Sequence, residues 1–179
     1  MGRNAALADP FRLKPFDRKN KELLRVVIET PKGSRNKFAF NTDDRTFELK
    51  KVLPADMEFP YDFGFVPSIL APDGDPVDVL VLMDEPVFSG CVLLARIARA
   101  IEGEQTNGKK TERNDRIIAV EKDAHRFANV KSVDDLGKDF SRELEEFLVN
   151  YHRLTSKQYK VLRMAGPGQA RKLVKAGMH

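Results

Sequence analysis

The chain has 179 residues, 41% of them hydrophobic and 32% charged, with a net charge of +4 at pH 7. That is enough for one sizeable core and short for two, and so small and evenly spread a cationic excess does not by itself argue for nucleic acid. The N-terminal MGRNAALADPFRLKPFDRKNK has no apolar core of signal-peptide length, and no other segment is apolar enough to span a bilayer.

The lone cysteine, Cys91 in the apolar run GCVLLARIA, can form no internal disulfide and is expected to be buried and inert. A soluble, unexported protein of the reducing cytoplasm is expected, without a membrane partner.

In chain order, LLRVVIET and NKFAFN are predicted as two strands joined by PKGSR, and RTFELKKVL as a third. FPYDFGFVPSIL follows, where Pro60, Gly64 and Pro67 predict a kinked, irregular segment rather than a central strand. VDVLVLM, CVLLARIARAI and DRIIAVEK are then strands. Six or so short strands punctuated by turns predict a closed or nearly closed antiparallel barrel, a mainly β fold with flanking helices. Helix comes late. From Ser141, SRELEEFLVNYHRL sets Leu144, Phe147, Leu148 and Tyr151 in one apolar stripe that should pack on the barrel. GPG at 166–168 breaks the chain before a short basic helical tail, QARKLVKAG. One domain over 1–179 is expected, with an N-terminal arm over 1–20 and a helical tail over 166–179.

The stretch APDGDPVDVLVLM places Asp73, Asp75 and Asp78 within six residues, directly ahead of a buried run. Asp-Gly and Asp-Pro are ordinary turn dipeptides, so a solvated acidic turn is the plain alternative. Pro76 restricts Asp75 to extended backbone, so Asp73 and Asp75 tend to project the same way. Asp78 opens a strand continued by Val79, Leu80, Val81 and Leu82, and so stands at the rim of the core. Carboxylates this close raise one another's pKa and are costly at a semi-buried rim unless cations offset them. Hard divalent cations with oxygen ligands, Mg²⁺ above all, answer that need. An EF-hand loop fails, because its position five would be Val77 and its position six, which needs Gly, is Asp78. Glu29, Glu104 and Asp115 each lie at or near a strand end, with Lys37, Lys51 and Arg116 among them. A ring of mixed charge of this kind can hold several Mg²⁺ ions together with a polyanionic phosphate.

DGDPVD, residues 73–78, followed by VLVL, resembles the signature of the family I soluble inorganic pyrophosphatases, and the similarity runs from about VVIE through NYHRL. The resemblance implies a five-stranded barrel of OB-like topology with flanking helices. It implies Mg²⁺-dependent hydrolysis of pyrophosphate to two phosphates, with several ions per site. Asp73 and Asp78 would be metal ligands, Asp78 bridging two ions, and Asp75 would take the proton from the attacking water. Glu104 matches a further metal ligand. The next is Asn114 or Asp115, the alignment being ambiguous by one position, and its charge favours Asp115. Glu29 corresponds to an active-site glutamate counted with the metal-binding carboxylates, Lys37 and Arg116 to phosphate-binding lysines, Lys51 to a phosphate-binding arginine, and Tyr151 to a phosphate-contacting tyrosine. The resemblance also implies a homo-oligomer, hexamers being frequent in bacterial members.

Departures from the family pattern are several. Ala39 stands where many members have Glu, Lys51 keeps a charge but loses the bidentate fork of arginine, Phe59 and Phe63 lack tyrosine hydroxyls, and His152 replaces a lysine. Phe59 and Phe63 are expected in the core, Tyr151 fits helix packing as well as phosphate contact, and His152 is expected to be solvated. Two other classes compete. An OB-like barrel with aromatic and basic residues could bind single-stranded nucleic acid, but the acidic triad would repel phosphates unless metals intervened, so no nucleic-acid partner is expected. A catalytically weakened, phosphate-binding homologue is the other.

Overall fold

A computed structural model describes residues 9–72, 74–131 and 133–178, the side chains of Val133 and Asp134 excepted. Among these residues the chain forms β1 (Leu23–Thr30), β2 (Asn36–Asn41), β3 (Thr46–Val52), β4 (Asp62–Leu70), β5 (Pro76–Leu82), β6 (Val92–Asn107), β7 (Lys110–Arg113), β8 (Arg116–Glu121), α1 (Gly137–Arg153), β9 (Gln158–Ala165) and α2 (Pro167–Ala176). Five strands close a barrel in the order β1-β4-β5-β8-β6, with β6 returning to pair β1. At 16 residues β6 is long enough to pair with β1 at its start, with β8 further along, and with β7 and β9 at its end. Four of these five junctions are antiparallel; β5 and β8 run parallel, because β6 intervenes between them in the chain and reverses direction twice. β2 and β3 form a separate two-stranded sheet.

β5 and β8 are buried along almost their whole length, and strand alternation divides their side chains between two apolar layers. Val79, Val81, Ile117 and Ala119 join Leu24, Val26, Val66, Ala95 and Ile97 in a cluster drawn from all five barrel strands, to which Ala170 and Val174 of α2 are added. Leu80, Leu82, Ile118 and Val120 pack instead under Leu144 and Leu148 of α1. The apolar stripe read in the sequence therefore does pack on the barrel, and the helix begins four residues earlier, at Gly137.

The segment expected to be irregular is β4, a central strand between β1 and β5. Its breakers are accommodated one by one. A Cβ on Gly64 would lie 2.1 Å from the Val27 carbonyl oxygen, so glycine there is what lets β1 and β4 approach. The β4–β5 register slips between Phe65 and Leu70, where Ser68 has φ of +57° and Pro67 is not required to donate to the ladder. β7 and β9 have no counterpart in the sequence-level prediction. Residues of the arm lie against the barrel: Ser68 Oγ donates to the carbonyls of Phe11 (3.2 Å) and Leu13 (3.0 Å). No helix among the described residues is long and apolar enough to cross a membrane.

At the start of β4, Asp62 is 1% exposed. Its Oδ1 accepts from the Lys32 amide (3.2 Å), while Oδ2 has no hydrogen-bond partner among the described residues. Burial raises its pKa from 3.8 to about 6, and the amides of Lys32 and Val87 offset that only in part. A carboxyl raised above its unfolded value contributes stability below the unfolded pKa and loses it as pH climbs through the folded one. Asp62→Asn should therefore stabilise the fold at pH 7.5 by on the order of 2 kcal/mol and change little near pH 4. Thermal denaturation of both proteins at the two pH values checks this; equal melting temperatures at pH 7.5 would show that the carboxylate is not destabilising.

Candidate active site

The acidic loop is closed by hydrogen bonds from the Ala71 amide to the Asp75 carbonyl (2.7 Å) and from the Gly74 amide to the Ala71 carbonyl (2.9 Å). Gly74 has φ of +88°, a left-handed conformation that glycine adopts without steric cost. β5 starts directly afterwards, and Asp75 and Asp78 line one cavity of about 330 Å³ with Glu29, Lys37, Ala39 and Lys50. Asp73, expected as a metal ligand, lies outside the described residues.

A second cavity of about 230 Å³ shares Lys37 and Asp78 with the first. Its other polar walls are Lys51, Arg116 and Lys157, with Asn114, Gln105, Tyr151, His152 and Thr155. Carboxylates thus collect on one side of Asp78, accompanied by Lys37 and Lys50, while the other side is cationic with Asp78 its one carboxylate. Lys51 sits 4.7 Å above the Tyr151 ring, and burial, then the charges of Lys37 and Lys157, lower its pKa. Cations that destabilise one another in this way are ready for an anion. Glu29 shows the opposite case. Burial raises its pKa and the charges of Asp78 and Asp75 push the same way, against Lys37 and the Phe40 amide. That amide donates to Oε1 at 2.7 Å, and Lys37 Nζ lies 3.8 Å from Oε2.

Of the ten residues singled out in the sequence, Glu29, Lys37, Lys51, Asp75, Asp78, Arg116 and Tyr151 line this pair of cavities. Glu104 and Asp115 do not. Side chains alternate at the entry to β8, Asn114 and Arg116 lining the cationic cavity and Asp115 and Ile117 an apolar one beside α2. Asp115 is occupied there: Oδ1 accepts from the Gly103 amide (2.9 Å), and Arg113 NH2 reaches both carboxylate oxygens at 2.8 and 3.0 Å. Alternation on β6 likewise turns Gln105 to the cavity and Glu104 away, opposite Arg113 of β7 and Lys160 of β9. Asn114 Nδ2 donates to Gln105 Oε1 at 3.1 Å, so the two amides form a pair.

Lys50 and Tyr159, like Gln105 and Lys157, carried no site signal in the sequence, and His152 was placed wrongly. Lys50 is the extra residue of a β-bulge, since Lys37 pairs with Lys51 and Phe38 with Leu49; the bulge sends adjacent lysines to different cavities. His152, expected to be solvated, is only 4% exposed because α1 lays it against β9. Tyr159 on β9 donates to the Asn114 carbonyl (3.0 Å). A Cβ on Gly103 would meet that hydroxyl at 2.2 Å, so glycine makes the contact sterically feasible. The sole sequence signal for Tyr159 was the short polar–apolar alternation of QYKV.

The donor set is one of carboxylate and amide oxygens, which suits a hard divalent cation. Among the described residues no three Asp, Glu, His or Cys side chains converge closely enough to enclose an ion alone. Mg²⁺ does not need such a cage, because it takes one or two carboxylates and completes its shell with water and substrate phosphate.

The inorganic pyrophosphatase family model matches residues 26–179. An inorganic pyrophosphatase of Synechocystis is 40% identical over 140 residues, 78% of this chain and 80% of that protein. One of Nostoc is 38% identical over 152 residues, 85% of this chain and 88% of the relative. The crystal structure of inorganic pyrophosphatase from Thermus thermophilus superposes with a TM-score of 0.86 at 30% identity, covering 96% of this chain and 97% of that one. A matched family model, relatives aligned over most of their length and a shared barrel agree with the acid loop and its facing cations: the chain belongs to the family I inorganic pyrophosphatases.

Proposed function

We propose that this chain hydrolyses inorganic pyrophosphate to two phosphates with Mg²⁺, by direct attack of a water that loses its proton to Asp75. The observation that carries this is the pair of adjoining cavities joined at Lys37 and Asp78, one with three carboxylates beside two lysines and the other cationic apart from Asp78. The substrate needs both: a phosphoryl group held by cations, and an anionic rim that can hold Mg²⁺ and a base.

Lys37, Lys51, Arg116 and Tyr151 bind the phosphates. Lys37, 3.8 Å from Glu29, links the two halves of the site. Asp73, Asp78 and Glu29 would hold Mg²⁺, with Asn114 rather than Asp115 or Glu104 supplying an oxygen on the far wall. Bound there, Mg²⁺ neutralises phosphate charge and makes water more acidic. Asp75 then accepts the proton as the water oxygen bonds to phosphorus, and the bridging oxygen leaves with the second phosphate. A nucleic acid would bring its phosphates against Asp75, Asp78 and Glu29 without that chemistry, so no nucleic-acid partner is proposed. The protein acts in the cytoplasm as a homo-oligomer in this reading, supported by Leu49, Val52 and Phe88, large apolar side chains 55%, 57% and 72% exposed. Light scattering across micromolar concentrations should give a mass above 20.3 kDa; a monomer throughout would refute the assembly.

Three substitutions separate the roles. Asp75→Asn should lower kcat by about a hundredfold or more, the loss expected of a general base, with Mg²⁺ affinity by calorimetry near wild type. Asp78→Asn should weaken that affinity itself. Asp115→Asn should leave kcat and KM unchanged and reduce stability by roughly 1–2 kcal/mol, because it loses the charge that Arg113 holds. Wild-type turnover in Asp75→Asn, or collapse of turnover in a folded Asp115→Asn, would reverse the assignments.

Hard oxygen donors also set the metal response. Phosphate release should require Mg²⁺, proceed partly with Mn²⁺ and be inhibited by the larger Ca²⁺. A colorimetric phosphate assay with each ion tests this, and full turnover in excess chelator would exclude the metal-dependent reaction.

A further inference from the structure

His152 follows Tyr151 on α1, yet its ring is inside the protein, stacked on Tyr159 with centres 4.5 Å apart and planes inclined by 16°. Its Nδ1 lies 2.7 Å from the Leu148 carbonyl. An acceptor at that distance requires the proton on Nδ1, so in the neutral ring Nε2 carries the lone pair. Nε2 faces Arg116 NH2 at 3.3 Å. A guanidinium only donates, so the bond runs from Arg116 to the imidazole, and the imidazole must be neutral to receive it. Burial and the nearby positive charge of Arg116 act in the same sense, lowering the His152 pKa to about 4.

Arg116 is 3% exposed and is held on three sides. NH2 meets His152 and, at 3.4 Å, Asp78 Oδ2, while the guanidinium carbon lies 4.9 Å from the centre of the Tyr159 ring. Nε and NH1 are buried without a hydrogen-bond partner among the described residues, although Arg116 lines the cationic cavity. Buried donors left in this state are costly, so the placement of the guanidinium depends on the groups that do hold it.

We infer that His152 is a positioning residue: its neutral imidazole accepts from NH2, locks the guanidinium between Asp78 and Tyr159, and so fixes the positive charge that Arg116 presents to phosphate in the cationic cavity. A lysine at 152 would set a second cation against Arg116, whereas an acceptor lets the guanidinium approach. The inference rests on the proposed pyrophosphate chemistry of this cavity.

Two variants divide hydrogen bonding from packing. His152→Phe keeps an aromatic ring on Tyr159 and removes the acceptor; His152→Gln can return an oxygen near the Nε2 position. His152→Phe should raise KM for pyrophosphate and weaken inorganic phosphate binding, read by calorimetry without turnover, by about tenfold, as for one lost bond to a charged group. kcat should change much less. His152→Gln should stay within about threefold of wild type, since it restores the acceptor. Wild-type KM and phosphate affinity in His152→Phe would overturn the inference, as would equal losses in both variants. If His152→Phe does not fold, His152→Ala with added imidazole decides: recovered phosphate affinity supports the role, and no recovery refutes it. Failure of the wild type to release phosphate from pyrophosphate would refute the functional proposal separately, because the calorimetric comparison still judges His152.

Discussion

Asp75 and Asp78 stand at the rim of a barrel filled by Val79, Val81 and Ile117, and Glu29 is buried beside them. Their mutual repulsion cannot be relieved from the apolar side, so the offsetting charge must come from the chain's other elements or from a ligand. Lys37 reaches in from β2, Lys50 and Lys51 from β3, and Arg116 from β8. The separate β2–β3 sheet is best understood in these terms. It adds no strand to the barrel, but it carries three lysines to the place where the barrel's carboxylates collect.

Barrel closure sets which atoms meet. The length of β6 brings Gln105 across from Asn114, while parallel pairing of β8 with β5 puts Arg116 directly opposite Asp78 in the register. That pairing explains why the cation of one strand and the acid of another lie within 3.4 Å even though 38 residues separate them in the chain. The same alternation carries Asp115 away to Arg113 and the Gly103 amide, where it ties β7 and β8 to β6. One carboxylate of the neighbourhood is thereby structural and its uncharged neighbour faces the site.

Most of the positions read in the sequence as departures, Lys51, Phe59, Phe63 and His152, are physically connected through Tyr151 and its neighbours. Phe59 packs edge-on against Phe63, Phe147 and Tyr151, so the missing hydroxyls are matched by an aromatic layer that supports Tyr151 from behind. Lys51 lies over the face of that same tyrosine. His152, Tyr159 and Arg116 make a second stack next to it. Ala39 leaves room in the cavity that Lys50 also lines. Apart from Ala39, changes that look unrelated along the chain therefore share two contact groups beside the cationic cavity.

Much of this was legible from local pattern. VDVLVL and RIIAVE announce buried strands by composition, the Leu144–Tyr151 stripe announces a helix by its spacing, and DGDPVD declares its charge problem without any partner in view. β4 was not legible, because Pro67 and Gly64 are breakers unless a bulge and a close backbone approach to Val27 absorb them. The choice between Asn114 and Asp115 lay on the boundary: strand alternation from Arg116 points to Asn114, while charge points to Asp115. His152 and Tyr159 were beyond reach, since each is defined by the other across the α1–β9 packing. By itself the sequence determined the barrel class and the acid motif with its hard oxygen donors, because spacing, charge and periodicity are properties of neighbouring residues. The tertiary structure alone decided which of two adjacent side chains faces the cationic cavity and that a histidine beside it is buried, because those depend on strand register and on burial by elements distant in the chain.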